Sequence, residues 1–298
     1  MKEPYLREKL LHIPVLGTEV LSLLKISPKG VYFDGTIGTG GHASMISKKL
    51  SNQGLYIGVD RDEKALSHCK QRFSSSTISI SLHYSSYHKI NSIIEPIGLQ
   101  EVNGFLLDLG YSSMQLDSPK RGFSYQNDSP LDMRFDQSQK ETAASILNAI
   151  SSDKLANIIY KFGEERRSRS IAKNIAKYRP LNSVDDLVEV IRKVTPPNHR
   201  NRTLARVFQA IRIKVNNELE YLNAFLNNFI NYLTIGGRIA IISFHSLEDR
   251  IVKHRFKNLK QNGRLKILTQ KPITASNKEI LNNRRSKSAK LRVAEKIS

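Results

Sequence analysis

Val31-Tyr32-Phe33-Asp34-Gly35-Thr36-Ile37-Gly38-Thr39-Gly40-Gly41-His42 is the stretch on which the fold turns, and it is answered downstream by Leu55-Tyr56-Ile57-Gly58-Val59-Asp60. β-Branched and aromatic residues lead into a turn with four glycines, and Ala43 to Leu50 then carry apolar residues at helical spacing. The order is strand, glycine loop, helix, strand, acid. That order opens a nucleotide-binding βαβ unit.

The acid ahead of the glycines bears on which nucleotide is bound. A dinucleotide site sets a pyrophosphate against this turn and the helix that follows, and the Asp34 carboxylate would repel it. S-Adenosylmethionine carries no phosphate. Its ammonium suits a carboxylate at the tip of the first strand, Asp34, and its ribose hydroxyls suit one at the tip of the second, Asp60. Gly38-x-Gly40-x-x-Ala43 also fits the dinucleotide fingerprint, so a nicotinamide or flavin cofactor, or a glycine turn without a ligand, stays open on this stretch alone.

Working outward, the 298 residues with 39% hydrophobic content are enough for one large α/β domain carrying a smaller one. No apolar run approaches the ~20 residues of a membrane span, and the N-terminus lacks the shape of a signal peptide, so a cytoplasmic protein with no membrane partner is expected. A single cysteine excludes an internal disulfide framework and a cysteine-based zinc site, and no metal is expected. Forty-seven Lys and Arg against 27 Asp and Glu, a formal net charge of +20, call for a polyanionic partner.

Before the first strand, Glu19 to Leu24 read as an amphipathic helix. After Asp60, Ala65, Leu66, Cys69 and Phe73 share a helical face, which makes Cys69 a core residue. Thr77 to Leu82 read as a third strand, with Tyr84 and Tyr87 beyond it as candidates to lie against an adenine ring. Gly104-Phe105-Leu106-Leu107-Asp108 again ends a buried apolar strand in an acid. Ligands of open α/β sheets bind beyond the carboxyl ends of the strands, so Asp34, Asp60 and Asp108 are expected to converge on one crevice. Acceptance of turn amides is the alternative for each of them.

From about Gln115 to Lys214 the α/β alternation stops, and helical segments follow near 141–150, 152–162, 164–178 and 184–194. The last opens on a capping-box-like Ser183-Val184-Asp185-Asp186, and a single helix is expected from about Leu204 towards Phe229. Strand signals resume at Arg238 to Phe244, ahead of His245-Ser246-Leu247-Glu248-Asp249-Arg250. The expected architecture is an α/β domain of residues 1–115 and 215–298 with an all-helical insert of residues 116–214. Arg166, Arg167, Arg169, Lys173, Lys177 and Arg179, and later Arg200, Arg202, Arg206, Arg212 and Lys214, give the insert its own basic content, and from Arg250 to Ser298 fifteen Lys or Arg face only Glu279 and Glu295. With apolar residues interleaved, this tail reads as a phosphate-contacting surface. Leu265–Leu268 and Leu291–Ala294 read as its closing strands, joined by a loop over 282–287.

Taken together and in order, Asp34-Gly35-Thr36 with Gly40-Gly41-His42, Asp60-Arg61-Asp62, Leu107-Asp108-Leu109-Gly110, Pro130-Leu131-Asp132-Met133-Arg134, Gly163-Glu164-Glu165-Arg166, Phe208-Gln209-Ala210 and Ser243 to Arg250 resemble the bacterial methyltransferase family that modifies N4 of a cytidine in small-subunit ribosomal RNA. The resemblance spans nearly the whole chain. It implies a doubly wound, Rossmann-like class I methyltransferase sheet with a helical insert, S-adenosylmethionine as cofactor with S-adenosylhomocysteine as product, and 16S rRNA in the decoding region of the small ribosomal subunit as partner. A homodimer is left open. Carried over by position, the family's cofactor contacts fall on Gly40, Gly41, His42, Asp60, Asp108 and Gln115, with Tyr87 as the best match for an aromatic contact. Tyr111 and Met114 stand where the family usually has valine and proline.

The chemistry of the residues agrees. Methylation of cytosine carbon 5 uses a cysteine that adds to the ring, and this chain offers only the core-facing Cys69. A nitrogen target needs instead an acceptor that holds the exocyclic amine and takes up a proton as charge develops. Asp108 is the first candidate, with Ser112 and Ser113 to complete the hydrogen bonding. His245 is a proton acceptor, a base-pocket residue or a cap on the strand end. The target base must leave its stack, and Phe123, Tyr125 and Phe135 are available to stack on it. An RNA-binding or ribosome-assembly protein with a vestigial pocket, a nicotinamide oxidoreductase and an adenine-N6 DNA enzyme are the competing readings.

Overall fold

The computed structural model describes residues 13–298, with the side chain of Ser113 outside the description. The chain forms two compact units, one running to Gly110 and resuming at Glu220–Ser298, the other comprising Tyr111–Leu219. The insert is therefore five residues longer at either end than the 116–214 expected from sequence.

The first unit is built on a sheet of β1 (Val31–Asp34), β2 (Leu55–Asp60), β3 (Ser79–Tyr84), β4 (Val102–Asp108), β5 (Leu233–Ser243), β6 (Leu265–Ile267) and β7 (Lys290–Lys296). Their order is β3-β2-β1-β4-β5-β7-β6. The first five strands run parallel, and β7 pairs antiparallel with both β5 and β6. The chain winds outward from β1 to β3, then crosses back to lay β4 on the other side of β1. The carboxyl ends of β1 and β4 thus flank the switch point, where a doubly wound sheet opens its ligand crevice.

Strand periodicity explains how both faces of this sheet are filled. Phe33, Ile57, Phe105, Leu107, Ile239 and Ile241 point into one core cluster, and their neighbours Tyr32, Tyr56, Leu106, Ala240 and Ile242 into the other. Successive strand side chains face opposite ways, so a strand covered on both sides reads as a continuous apolar run. On the first face the rings of Phe33, Phe105, Phe225 and Phe229 meet in series at centroid separations of 5.5, 5.5 and 5.8 Å, each contact contributing about 0.5–1.5 kcal/mol beyond area burial. Cys69 is fully buried in the second cluster, as its helical face requires.

Three local expectations are corrected. The third strand is Ser79–Tyr84, not 77–82, because it pairs with β2 to the latter's end, Tyr84 opposite Asp60. The helix expected from Leu204 to Phe229 is two, Arg200–Asn216 and Glu218–Asn228, broken at Asn217, whose φ of 51° is left-handed. Asparagine tolerates that conformation, so apolar spacing ran across the break unmarked. The segment expected as a loop over 282–287 is helical, Asn277–Asn282 followed by a 3-10 turn Arg284–Ser288.

The second unit has its own core, centred on Leu155, Ile159, Ile171, Leu187, Ile191, Val207 and Ile211. Three of its helices begin on side-chain caps, at Thr142, Ser151 and Ser183. The loop ahead of them is clamped from within. The Arg121 guanidinium donates to the carbonyls of Arg134 and Phe135, Asp132 holds Arg134, and the buried Asn216 amide donates to the Met133 carbonyl and accepts from the Phe135 amide. Phe123 is buried and its ring stacks with those of Tyr111 and Phe135, and Tyr125 packs against Phe208. These rings pack in the insert's core; Phe123 is buried there, so it is not the free stacking platform expected. Among the described residues no helix is long and apolar enough to cross a membrane.

Candidate active site

In the sheet unit the three strand-tip acids take different parts. Asp34 is buried, with 1% of its surface exposed, and both of its oxygens are used. Oδ2 accepts from the Tyr56 hydroxyl at 2.7 Å and Oδ1 from the Thr36 amide at 3.0 Å. Burial pushes its carboxyl up to about 6, the Tyr56 hydrogen bond and His42 only partly opposing the shift. The expectation that Asp34 receives a ligand ammonium meets a carboxylate already enclosed. Its part is to fix the turn, and Thr36 passes that order on by accepting the Asp108 amide at 2.6 Å.

Asp60 braces the glycine loop from the other side. Its Oδ2 accepts from the Gly38 amide at 2.8 Å and its Oδ1 from the Asp62 amide at 2.9 Å. Burial raises this carboxyl too, to about 6, against the pull of those two amides. A carboxylate has about four lone-pair sites, so capacity is left for hydroxyl donors. Gly40, at φ 81°, is required twice over: its backbone is left-handed, and a Cβ there would lie 2.8 Å from the Phe73 ring and 3.2 Å from Cys69 Sγ. Gly41 opens the short helix that carries His42.

Asp108, at the tip of β4, differs from both. Its Oδ1 is buried without a hydrogen-bond partner, and so is His42 Nε2, which lies 3.6 Å from Asp108 Oδ2. An unmet acceptor and an unmet ring nitrogen side by side cost about 1–3 kcal/mol each unless something satisfies them. They flank the switch point, where the topology opens the crevice. The residues present thus fit a ligand that brings both donors and acceptors to this spot, as the amino acid and ribose parts of S-adenosylmethionine do.

The other expected residues fall as follows. Tyr87 packs beside the loop, where a Cβ on Gly35 would meet it, and its ring stands edge-on to Phe225 at 5.6 Å. Ser112 and Gln115 belong to the helical unit and hold one another: the Ser112 amide donates to Gln115 Oε1 and the Gln115 amide to Ser112 Oγ. Ser113 starts the short helix there, its side chain outside the described residues. His245 is the N-cap of the helix Ser246–Gln261 in a capping box with Glu248, its Nδ1 accepting the Glu248 amide at 3.4 Å. Its Nε2 is buried without a hydrogen-bond partner, 3.2 Å from Glu248 Oε1.

Sequence reading missed a rim cluster next to Asp60. His88 stacks on Tyr221 with centroids 3.9 Å apart, and the Arg61 guanidinium lies 5.0 Å from the same ring. Burial, with Lys89 and Arg61 nearby, lowers His88 to about 4, so the imidazole is neutral. Tyr221 is 133 residues from His88, and no local pattern links them.

The sequence profile of the MraW methylase family matches residues 9–297. A protein from Caldicellulosiruptor saccharolyticus named ribosomal RNA small subunit methyltransferase H is 44% identical over 305 residues, covering 96% of this chain and 99% of its own length. Proteins of the same name from Kosmotoga olearia and Trichodesmium erythraeum are each 45% identical, over 292 and 290 residues, and cover 96% of this chain with 97% and 99% of their own lengths.

Proposed function

With the premise that this chain belongs to the MraW methylase family, we propose that it transfers a methyl group from S-adenosylmethionine to the exocyclic N4 of a cytidine in 16S rRNA, in the cytoplasm and within the small ribosomal subunit. The observation that carries this reading is the unmet pair Asp108 Oδ1 and His42 Nε2 at the switch point of the sheet.

When bound, S-adenosylmethionine supplies an electrophilic methyl group on a sulfonium sulfur. Asp60 offers its spare lone pairs to the ribose hydroxyls, and Gly40, whose left-handed backbone packs against Phe73 and Cys69, keeps the loop in the shape that presents it and Gly41 to the cofactor. Tyr87 stands as the further contact, for the adenine. Asp108 Oδ1 accepts a hydrogen bond from the cytosine amine, directing the nitrogen lone pair away from itself, and takes up the amine proton as the nitrogen gains positive charge. Asp34 and Thr36 keep the Asp108 backbone in place for that task. Cys69 takes no part: burial pushes its thiol up to about 12, and its Sγ donates to the Gly38 carbonyl.

The test is product identification. The protein is incubated with labelled cofactor and either small ribosomal subunits or free 16S rRNA, and the RNA is digested to nucleosides. Label is expected in N4-methylcytidine; label in adenosine or at cytosine carbon 5 refutes the reading.

A further inference from the structure

The helical unit holds a cavity of about 460 Å³ that the methyl-transfer site does not use. Its wall carries Arg166, Arg167, Arg202 and Arg206 with Glu165 and Thr203. The one carboxylate is spoken for. Glu165, 3% exposed, accepts from the Arg167 amide at 3.0 Å, from the Thr203 hydroxyl at 3.3 Å and from Arg206 Nη1 at 3.3 Å. It therefore neutralises Arg206 and acts as the strut that ties the turn after Gly163 to the helix Arg200–Asn216. Gly163 makes the approach feasible, since a Cβ there would lie 2.6 Å from the Arg206 carbonyl oxygen. Among the described residues no carboxylate pairs with Arg166, Arg167 or Arg202. Four guanidinium groups against one carboxylate leave three positive charges facing one hollow.

Two helices add to that field. The helix Ser168–Lys177 starts from Arg167 and the helix Arg200–Asn216 from His199, neither with a side-chain cap, and both starting residues line the cavity. The positive end of each helix dipole therefore joins the guanidinium groups. Like charges gathered this closely repel one another unless an anion joins them, and planar guanidinium forks match the oxygens of a phosphoryl group.

We propose that this cavity is a phosphate subsite that takes one phosphodiester of the substrate RNA strand, with Arg166, Arg167 and Arg202 as its ligands and Glu165 as the group that positions them. The proposal rests on the reading of this chain as an RNA methyltransferase and adds a contact outside the cofactor unit. A free phosphate ion has the same chemistry, so the test separates the two sources.

Binding of 16S rRNA transcribed in vitro is measured for the wild-type chain, for Arg166→Ala/Arg202→Ala and for Arg166→Lys/Arg202→Lys across 50–200 mM salt, values chosen to resolve counterion release. Both side chains are exposed, so the alanine pair is expected to keep the thermal midpoint and S-adenosylmethionine affinity. Its RNA affinity falls about tenfold at low salt, and its plot of log affinity against log salt becomes shallower by about 0.7–1, the loss of one phosphate contact. The lysine pair keeps the wild-type slope with a smaller loss of affinity. Unchanged affinity and slope in the alanine pair overturn the subsite, as does lost affinity with an unchanged slope, which denotes a contact to a base. If inorganic phosphate raises the thermal midpoint of the wild type but not of the alanine pair while RNA binding is unmoved, the cavity holds a free ion and the RNA assignment falls. A wild-type chain that binds cofactor but no RNA overturns the methyltransferase reading together with the subsite.

Discussion

The two units use charge in opposite ways. In the sheet unit three carboxylates stand at strand tips, the buried Asp34 and the half-buried Asp60 held by amides and a hydroxyl that brace a glycine loop and the third left with an unmet oxygen. In the helical unit guanidinium groups gather at uncapped helix starts around one buried glutamate. A strand tip in a doubly wound sheet is a fixed point, and its neighbours are fixed too, so an acid there can be aimed to within a hydrogen bond. A ring of arginines on helix ends is coarser, suited to seizing a charged backbone without reading it. On the proposed reading one unit serves the chemistry and the other grips the RNA, and each can be damaged separately.

The largest expected effect is that of Asp108→Ala. Removing the proposed acceptor for the cytosine amine is expected to lower turnover about a thousandfold, within the 10²–10⁴ range for a positioned acid or base. The thermal midpoint and RNA affinity are expected to change little, because Oδ1 has no protein partner to strand. Rates of label transfer to small subunits at saturating cofactor, beside a thermal melt, check this. Turnover within threefold of wild type would erase the division between the units, since the sheet unit would then lack its proton acceptor.

Next in size is a pH effect from the braced acids. Asp60 titrates near 3.8 when free and near 6 in the fold, raised by burial against the amides of Asp62 and Gly38. Between those values the native state holds more protons than the unfolded state, so this group's contribution to stability falls as pH rises from about 4 to about 6 and is level above. The size is on the order of 2–3 kcal/mol. Asp249 carries the opposite sign, its burial outweighed by Arg292 and Lys290, which draw its carboxyl down. A comparison with Asp60→Asn isolates the Asp60 share. The stability of the wild type relative to this variant, from urea unfolding, is expected to drop between pH 4 and pH 7. A difference that is constant with pH would mean that Asp60 is not buried at a cost, and the sheet unit would lose its distinction as the place where charge is held against solvation.

What was legible in the sequence follows the same division. The glycine loop, the acids at 34, 60 and 108 and the alternating strands could be read because each is local: period two over a few residues, then a turn residue, then an acid. The insert was visible as a halt in that alternation, and the Ser183 cap from four consecutive residues. The Asn217 break was not legible, because left-handed backbone at an asparagine leaves the apolar spacing intact. Nor was the use of Asp34 by Tyr56, which depends on strand neighbours 22 residues apart. The arginine cavity needed Arg166 and Arg202 in one place, which only the packing of Ser152–Gly163 on Arg200–Asn216 supplies. The stacked Phe123 was misjudged for the same reason: an aromatic in a polar loop reads as exposed until its partners Tyr111 and Phe135 are known.

The smallest effect separates frame from grip inside the helical unit. Ser183 Oγ accepts the Asp186 amide at 3.2 Å, while Asp186 Oδ2 accepts the amides of Ser183 and Asn182 at 2.9 and 2.8 Å. Those amides hold the Asp186 carboxyl below its ordinary range. Ser183→Ala leaves one donor of the helix Val184–Lys193 unmet and is expected to cost about 1 kcal/mol, the usual loss for such a cap. Urea unfolding measures it. Because Ser183 lies outside the wall of the arginine cavity, RNA affinity and its salt dependence are expected to match wild type at temperatures below the melt. A loss of RNA affinity as large as that of the Arg166/Arg202 alanine pair would show that grip follows from the stability of the helical unit as a whole, and the cavity would lose its claim as the particular place where the strand is held.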